Sequence, residues 1–206
     1  MTTLLMLHGL GQRADVWKPV SDHLPPSWGI IAPSLYGFGT WAELREFLVS
    51  AVEQAGEPGK VVVCGLSAGG RLGMDFALHH PEMVAGLHVS GASLKTGGIV
   101  EKLRAAAMKT AKDSYFAERG VVKAEVQALA AMLPGVDLTG SVSRISVPTR
   151  VLSGAEDKLG TSSAKKIAGL IPGAELDVVA NAGHEWNAEA PETYAANIAE
   201  FVAKLG

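Results

Sequence analysis

The sequence predicts a three-layer α/β fold, in which about six parallel strands are covered by helices on both faces. Short apolar runs alternate with longer segments of helical periodicity along almost the whole chain. Several runs are apolar nearly throughout, as in parallel strands buried on both faces. Alternating strands and helices imply right-handed crossovers. The predicted strands are residues 3–7, 28–32, 60–66, 84–90, 147–153 and 175–180.

Helical signals separate these runs. Thr40 and Glu43 have the spacing of a capping box, which satisfies free amides at the start of a helix. One apolar face then follows at helical spacing, formed by Trp41, Leu44, Leu48 and Val52. The last helix is predicted to begin near Pro191 and to bury one apolar stripe, formed by Tyr194, Ile198, Phe201 and Leu205.

One long segment interrupts the alternation of strands and helices. Between Ser90 and Val147, more than fifty residues contain no convincing strand, and helical patterns run at about 98–117 and 121–133. An insertion of this length is too long for an ordinary crossover. We therefore predict a small helical cap at about 92–141, lying over one edge of the sheet.

Composition and charge restrict the class of protein. The 206 residues fit a single domain, 1–206, and 48% hydrophobic with 19% charged residues indicates a globular chain. The net charge of −3 argues against a nucleic-acid binder, and no apolar run approaches the ~20 residues of a membrane span. The one cysteine, Cys64, is predicted to be a buried hydrophobe. Without signal-peptide features at the N-terminus, we predict a soluble, cytoplasmic protein.

The segment Gly65-Leu66-Ser67-Ala68-Gly69-Gly70 follows a predicted strand and precedes a predicted helix. The turn between them is so tight that Ser67 must adopt a strained backbone conformation, which lifts its hydroxyl clear of the sheet. Side chains two residues away would collide, so glycine is needed there. We predict that Ser67 is a nucleophile. The alternative is a glycine-rich packing turn that happens to contain a serine.

A serine hydroxyl needs a neighbouring base, and the base needs a carboxylate that orients it. His184 is the predicted base, because it lies just past the final strand, where a parallel sheet places its functional loops. Asp157 follows the penultimate strand and is the predicted acid. Glu156 and Asp137 remain alternatives. The chain order Ser67, Asp157, His184 favours Asp157.

The segment His8-Gly9-Leu10-Gly11 directly follows the first predicted strand. Acyl transfer develops an oxyanion, which pre-positioned amides must receive. The predicted donors of this oxyanion hole are the backbone N–H groups of Leu10 and Ala68. His8 is predicted to hold the loop in shape.

Four motifs, HGLG, GLSAGG, GAED and AGHEW, occur in this order at predicted strand ends. Together they resemble the α/β-hydrolase superfamily, and the resemblance extends from His8 to His184. It implies the α/β-hydrolase fold with its catalytic groups at the C-terminal edge of the sheet. Because His8 comes too early for the two strands that usually precede the HG turn, the resemblance is to a member trimmed at the N-terminus. All six strands should then be parallel, and the exposed sheet edge leaves dimerisation open.

The resemblance implies a carboxylesterase that hydrolyses a small-molecule ester, or a related acyl substrate, through an acyl-enzyme on Ser67, with no metal or cofactor. Two alternatives stay open. One is a triad-dependent lyase or carbon–carbon bond hydrolase acting on an anionic metabolite, since Gly69-Gly70-Arg71 resembles the elbow of a menaquinone-pathway synthase; Arg71 could equally be a helix-surface residue. The other is a non-catalytic small-molecule receptor on the same scaffold.

The predicted cap is rich in basic residues, although the chain as a whole is acidic. If the cap covers the entrance of the site, its positive electrostatic field would attract anionic substrates, and added salt would weaken this attraction. A solvated helix face is the alternative. Between Lys95 and Lys123 there are three acidic residues, Glu101, Asp113 and Glu118, and seven basic ones, Lys95, Lys102, Arg104, Lys109, Lys112, Arg119 and Lys123.

Overall fold

The computed structural model describes residues 2–55, 59–96, 106 and 110–206. The strands within this part of the chain are β1 Thr3–Leu7, β2 Gly29–Ile31, β3 Val61–Leu66, β4 Val84–Ser90, β5 Thr149–Gly154 and β6 Glu175–Val179. They form one sheet in the order β2-β1-β3-β4-β5-β6, and every neighbouring pair is parallel. The predicted six-stranded parallel sheet is confirmed, with each boundary within two residues of the prediction.

The helices connect and cover these strands. The capping box is confirmed, because Glu43 N–H donates to Thr40 Oγ1 at 3.2 Å and Thr40 N–H donates to Glu43 Oε2 at 3.2 Å. The described α-helices are α1 Lys18–Ser21, α2 Trp41–Gln54, α3 Ala68–His79, α4 Asp113–Glu118, α5 Lys123–Met132, α6 Lys158–Leu170, α7 Trp186–Glu189 and α8 Pro191–Ala203.

Alternate side chains of the strands build a core on each face of the sheet. In β1, Leu5 and Leu7 contribute to the core with α2, α3 and α6, whereas Leu4 and Met6 contribute to the core with α1, α7 and α8. This arrangement confirms the three-layer fold. Cys64 is buried, as predicted; it belongs to the core with α1, α7 and α8, and its burial raises the pKa of the thiol.

The segment between β4 and β5 contains the predicted cap. No strand occurs in its described residues, and α5 corresponds to the helical pattern predicted at 121–133. Most of the pattern at 98–117 lies outside the described residues; its end includes α4. The position of these two helices relative to the site follows from their contacts, given below.

His88 lies inside β4 and is fully buried, as predicted for a packed residue. Its Nε2 is 3.0 Å from Asn197 Oδ1, and its ring contacts Tyr194 and Phe201. Desolvation lowers the pKa of His88 to about 4, so the folded protein holds this imidazole neutral. An unfolded chain, by contrast, protonates the same histidine below about pH 6.5.

We therefore expect His88 to reduce the stability of the fold in acid. As pH falls from about 6.5 towards 4, only the unfolded state takes up this proton, and the free energy of unfolding falls by about 1.4 kcal/mol per pH unit at most. The free energy of unfolding, measured by urea titration, should fall between pH 7.5 and pH 4.5 in the wild type. This fall should be about 2 to 3 kcal/mol smaller in His88→Gln. The control, His23→Gln, removes an exposed ring and should leave the acid slope unchanged. Equal slopes in the wild type and His88→Gln would contradict the prediction.

Candidate active site

Ser67 occupies the turn between β3 and α3, and its backbone is in a conformation that non-glycine residues rarely adopt, with φ 54° and ψ −112°. The turn closes only because the residues two positions before and after Ser67 are glycines. A Cβ atom on Gly69 would lie 2.1 Å from Leu7 O, and one on Gly65 would lie 2.6 Å from Gly69 O. The Ser67 N–H donates to Ser90 O at 2.8 Å, which ties the turn to the end of β4.

His184 and Asp157 come together across the loops that follow β6 and β5. His184 Nδ1 lies 2.5 Å from Asp157 Oδ2, while Asp157 Oδ1 accepts the N–H of Gly160 at 2.9 Å and so caps α6. The Asp157 side chain is 4% exposed and that of His184 is 28% exposed. Because an ionised carboxylate only accepts, the hydrogen bond places the proton on Nδ1 and leaves the lone pair of Nε2 free.

The two alternative acids lie elsewhere. Glu156 is exposed, although it is the direct neighbour of Asp157. Asp137 is also exposed, and it accepts the N–H of Thr139 at 2.9 Å. Of the three carboxylates considered from the sequence, the one bonded to His184 is therefore that of Asp157.

The loops that carry Ser67 and His184 meet at the end of β4, a point that the sequence did not single out. The carbonyl of Ser90 accepts the N–H of Ser67. The hydroxyl of Ser90 accepts the Nε1–H of Trp186 at 2.7 Å, and Trp186 lies two residues after His184. Gly91 follows with φ 58°, and a Cβ atom there would lie 3.1 Å from His184 Cε1. Ser90 and Gly91 therefore contact both loops. The only signal in the sequence that could have indicated this role was a serine and a glycine at the end of a predicted strand.

The loop after β1 lies against the serine turn, since a Cβ atom on Gly9 would be 3.6 Å from Ser67 Cβ. His8 holds the shape of this loop. Its Nδ1–H donates to Gly9 O at 2.9 Å, and its Nε2 accepts the N–H of Leu35 at 3.1 Å. Burial lowers the pKa of His8, which favours this neutral, doubly bonded ring.

The predicted oxyanion donors follow the ends of two neighbouring strands, β1 and β3. The amide of Ala68 opens α3, so it has no acceptor within the helix. The amides on both sides of Leu10 are engaged inside the protein. Gly9 N–H donates to Gln12 Oε1 at 3.0 Å, and Gly11 N–H donates to the Tyr36 hydroxyl at 3.0 Å.

Comparison with known proteins identifies the family of the chain. The family model described as Alpha/beta hydrolase family matches residues 4–197. The chain belongs to the alpha/beta hydrolase family. A pimeloyl-[acyl-carrier protein] methyl ester esterase of Yersinia enterocolitica is 36% identical over 89 residues, which cover 41% of this chain and 34% of that relative. The match therefore spans about a third of the relative's length.

Two further relatives match this hydrolase-family chain over nearly its full length. A 2-hydroxymuconate semialdehyde hydrolase of Pseudomonas sp. is 24% identical over an alignment of 251 positions, covering 98% of this chain and 87% of the relative. The structure of a thermophilic esterase from Thermogutta terrifontis, with malate bound, has a TM-score of 0.84 and 24% identity, covering 100% of this chain and 90% of that one. The structural likeness establishes the fold.

The described part of the predicted cap packs against the loops after β1 and β2. Three buried side chains of the cap, Phe116, Val121 and Val126, form a cluster against Leu10 and Tyr36. Two polar contacts reach the same region. Arg13 Nη1 donates to Gly120 O at 2.9 Å, and Arg119 Nη1 lies 3.1 Å from a carboxylate oxygen of Glu185, the residue after His184.

These contacts place the described cap residues at the C-terminal edge of the sheet. Two of the basic side chains that the sequence suggested as attracting anionic substrates form ion pairs within the protein. Arg119 pairs with Glu185 and Lys123 pairs with Asp113, each at 3.1 Å. Three other basic residues of that group, Lys102, Arg104 and Lys109, lie outside the described residues. Steering of anionic substrates stays a prediction.

Arg71 lies one turn after Ser67, and its interpretation as a helix-surface residue was wrong, because it is 3% exposed. Its Nε donates to Ser93 O at 2.8 Å, and its Nη1 donates to Thr96 Oγ1 at 2.6 Å and Leu133 O at 3.1 Å; Nη2 also donates to Ser93 Oγ. Ser93, Thr96 and Leu133 belong to the predicted cap segment, so Arg71 links α3, the helix that follows Ser67, to two separate parts of that segment.

Neither a metal site nor a membrane-spanning helix is found in the part of the chain that the structure describes. No group of three or more His, Cys, Asp or Glu side chains there is arranged to hold a metal ion. Within the same residues, no helix is both long and apolar enough to cross a bilayer.

Proposed function

We propose that the protein is a serine hydrolase that cleaves small carboxylic esters through an acyl-enzyme formed on Ser67. The observation that carries this proposal is the hydrogen bond that His184 Nδ1–H donates to Asp157 Oδ2. The ring of His184 lies next to Gly91. Gly91 follows Ser90, whose carbonyl accepts the N–H of Ser67. A strained serine with a histidine base and a buried carboxylate behind it is the arrangement that activates a hydroxyl.

In the acylation step, Ser67 Oγ forms a bond to the ester carbonyl carbon while its proton passes to His184 Nε2. The carbonyl oxygen becomes an oxyanion, which the N–H groups of Leu10 and Ala68 receive. The intermediate then collapses, and the leaving alcohol takes the proton from His184. Asp157 stays ionised throughout and stabilises the imidazolium.

In the deacylation step, water attacks the acyl-enzyme with the same proton transfers. His184 removes a proton from the water and returns it to Ser67 Oγ as the carboxylic acid leaves. The residues of this chain account for every proton and bond in the cycle, so the mechanism invokes no metal or cofactor. The proposed substrate is a small-molecule ester, and the cleavage of an ester is in line with the methyl ester esterase named among the relatives.

A carbon–carbon bond hydrolase is the second candidate, because a relative that carries the name of a semialdehyde hydrolase aligns with 98% of this chain. The residue that suggested an anionic substrate, however, is committed to the cap, since the Arg71 guanidinium bonds to Ser93, Thr96 and Leu133. The ester reaction is therefore favoured. Direct comparison of kcat/KM for simple esters and for a carbon–carbon bond substrate distinguishes the two candidates.

A fluorophosphonate probe tests the proposal directly. The serine oxygen attacks phosphorus and fluoride leaves, so a competent nucleophile should form a single adduct that mass spectrometry places on the peptide containing Ser67. Ser67→Ala should not react. The control, Ser162→Ala, removes an exposed serine hydroxyl on α6 and should be labelled like the wild type. Absence of labelling in the wild type would favour the small-molecule receptor, and labelling elsewhere would refute Ser67 as the nucleophile.

A further inference from the structure

Tyr36 lies in the loop after β2, between the predicted oxyanion loop and the cap. Its ring is 5.1 Å from the ring of His8, centroid to centroid, and it packs against the cap cluster of Phe116, Val121 and Val126. Its contacts therefore join three segments that are distant in sequence. The GLSAGG, GAED and AGHEW motifs do not include this residue, and the proposed reaction has no direct use for it.

The hydroxyl of Tyr36 bonds to two consecutive residues of the oxyanion loop. It accepts the N–H of Gly11 at 3.0 Å and donates to the carbonyl of Gln12 at 2.8 Å. One oxygen thus fixes both ends of a short piece of backbone directly after Leu10. Burial raises the pKa of Tyr36 to about 12, so the hydroxyl keeps the proton that it donates.

The other side of Leu10 is fixed by a second contact. Gln12 Oε1 accepts the N–H of Gly9 at 3.0 Å, and Gln12 Nε2 donates to the buried Asn187 Oδ1 at 3.1 Å. The Leu10 amide therefore lies between two amides that are held by side chains. Such support matters because Gly9 and Gly11 flank it, with Gly11 at φ 80°, and glycine backbone rotates easily between conformations.

We propose that Tyr36 is a positioning residue whose hydroxyl holds the Leu10 N–H in the orientation that receives the oxyanion. The inference rests on the proposed function, because it assumes that Leu10 is an oxyanion donor. An oxyanion donor stabilises the transition state only if it is oriented before charge develops. Loss of the hydroxyl should therefore affect the chemical step far more than the binding of the ester.

Tyr36→Phe is the informative variant, because the ring that packs against His8 and the cap remains. We expect kcat for p-nitrophenyl butyrate, per active site titrated with the fluorophosphonate, to fall about 10- to 100-fold, with KM within about threefold. A trifluoromethyl ketone gives a second measurement. Ser67 Oγ adds to its carbonyl and creates an oxyanion in the same place, so its inhibition constant should rise by the same factor as kcat falls.

The control is Tyr115→Phe, which removes a tyrosine hydroxyl from α4, where the residue is 38% exposed. This variant should match the wild type in both measurements. If Tyr36→Phe lowers only the titratable fraction or the thermal midpoint, while kcat per site and ketone affinity are unchanged, the hydroxyl is merely structural and the inference is overturned. Loss of activity in Ser67→Ala with no effect in Tyr36→Phe overturns this inference alone, whereas activity retained in Ser67→Ala refutes the proposed function itself.

Discussion

Replacing Ser67 by alanine is expected to lower kcat for p-nitrophenyl acetate or butyrate by ~10⁴-fold or more and to leave the protein folded. The variant loses the only protein atom that bonds to the substrate carbon in the proposed mechanism. It keeps the Cβ atom, and it keeps the backbone hydrogen bond from residue 67 to Ser90 O, which holds the turn. The loss should therefore appear in the rate and not in the thermal midpoint.

The matched control for this variant is Ser162→Ala, whose hydroxyl is exposed on α6. Its rate and thermal midpoint should equal those of the wild type. Rates should be measured on protein purified from separate columns, because a trace of wild type would hide a large effect. If the purified Ser67→Ala variant keeps a tenth of the wild-type activity, Ser67 is not the nucleophile.

The second large effect is expected for Asp157→Asn, which should lower kcat by about 10² to 10⁴-fold. The asparagine carbonyl can still accept the N–H of Gly160, so the cap of α6 is preserved and stability should change little. Its amide, placed against His184 Nδ1, would donate where the carboxylate accepts. The imidazole would then carry its proton on Nε2, the wrong nitrogen for a base that must attack the Ser67 proton.

Glu156→Gln is the matched control, because it neutralises the adjacent carboxylate, which is exposed. It should retain activity within about threefold of the wild type. Urea unfolding of both variants should accompany the rate measurements, since a loss of stability in Asp157→Asn would confuse the comparison. Equal losses of activity in the two variants would contradict the assignment of Asp157.

Much of this fold is predictable from local sequence. The strands were found because a parallel strand buried on both faces must be apolar nearly throughout, as in Val61–Leu66. The start of α2 was found because Thr40 and Glu43 satisfy its first amides at a fixed spacing. The serine turn was predicted because glycines stand two residues before and after Ser67, between a strand and a helix; in the structure, a Cβ atom on Gly69 would collide with Leu7 O.

Other features were set only by contacts between distant segments. For Arg71, the sequence left open whether the side chain serves the site or lies on the helix surface; its burial depends on contacts with residues more than twenty positions later. Ser90 reaches Trp186 across 96 positions, and Tyr36 reaches Gly11 across 25. Such pairs carry no periodicity or spacing that a single sequence could reveal.

The sequence by itself therefore determined the strands and the serine turn, because each depends on backbone geometry within a few residues. The order of the three candidate catalytic residues can be read directly from the chain. Only the tertiary structure decided that Asp157, rather than Glu156 or Asp137, bonds to His184. It alone also decided which side chains hold the loops around Leu10 and His184. The physical reason is that a hydrogen bond between two loops depends on where the whole sheet places their ends, and no local pattern encodes that distance.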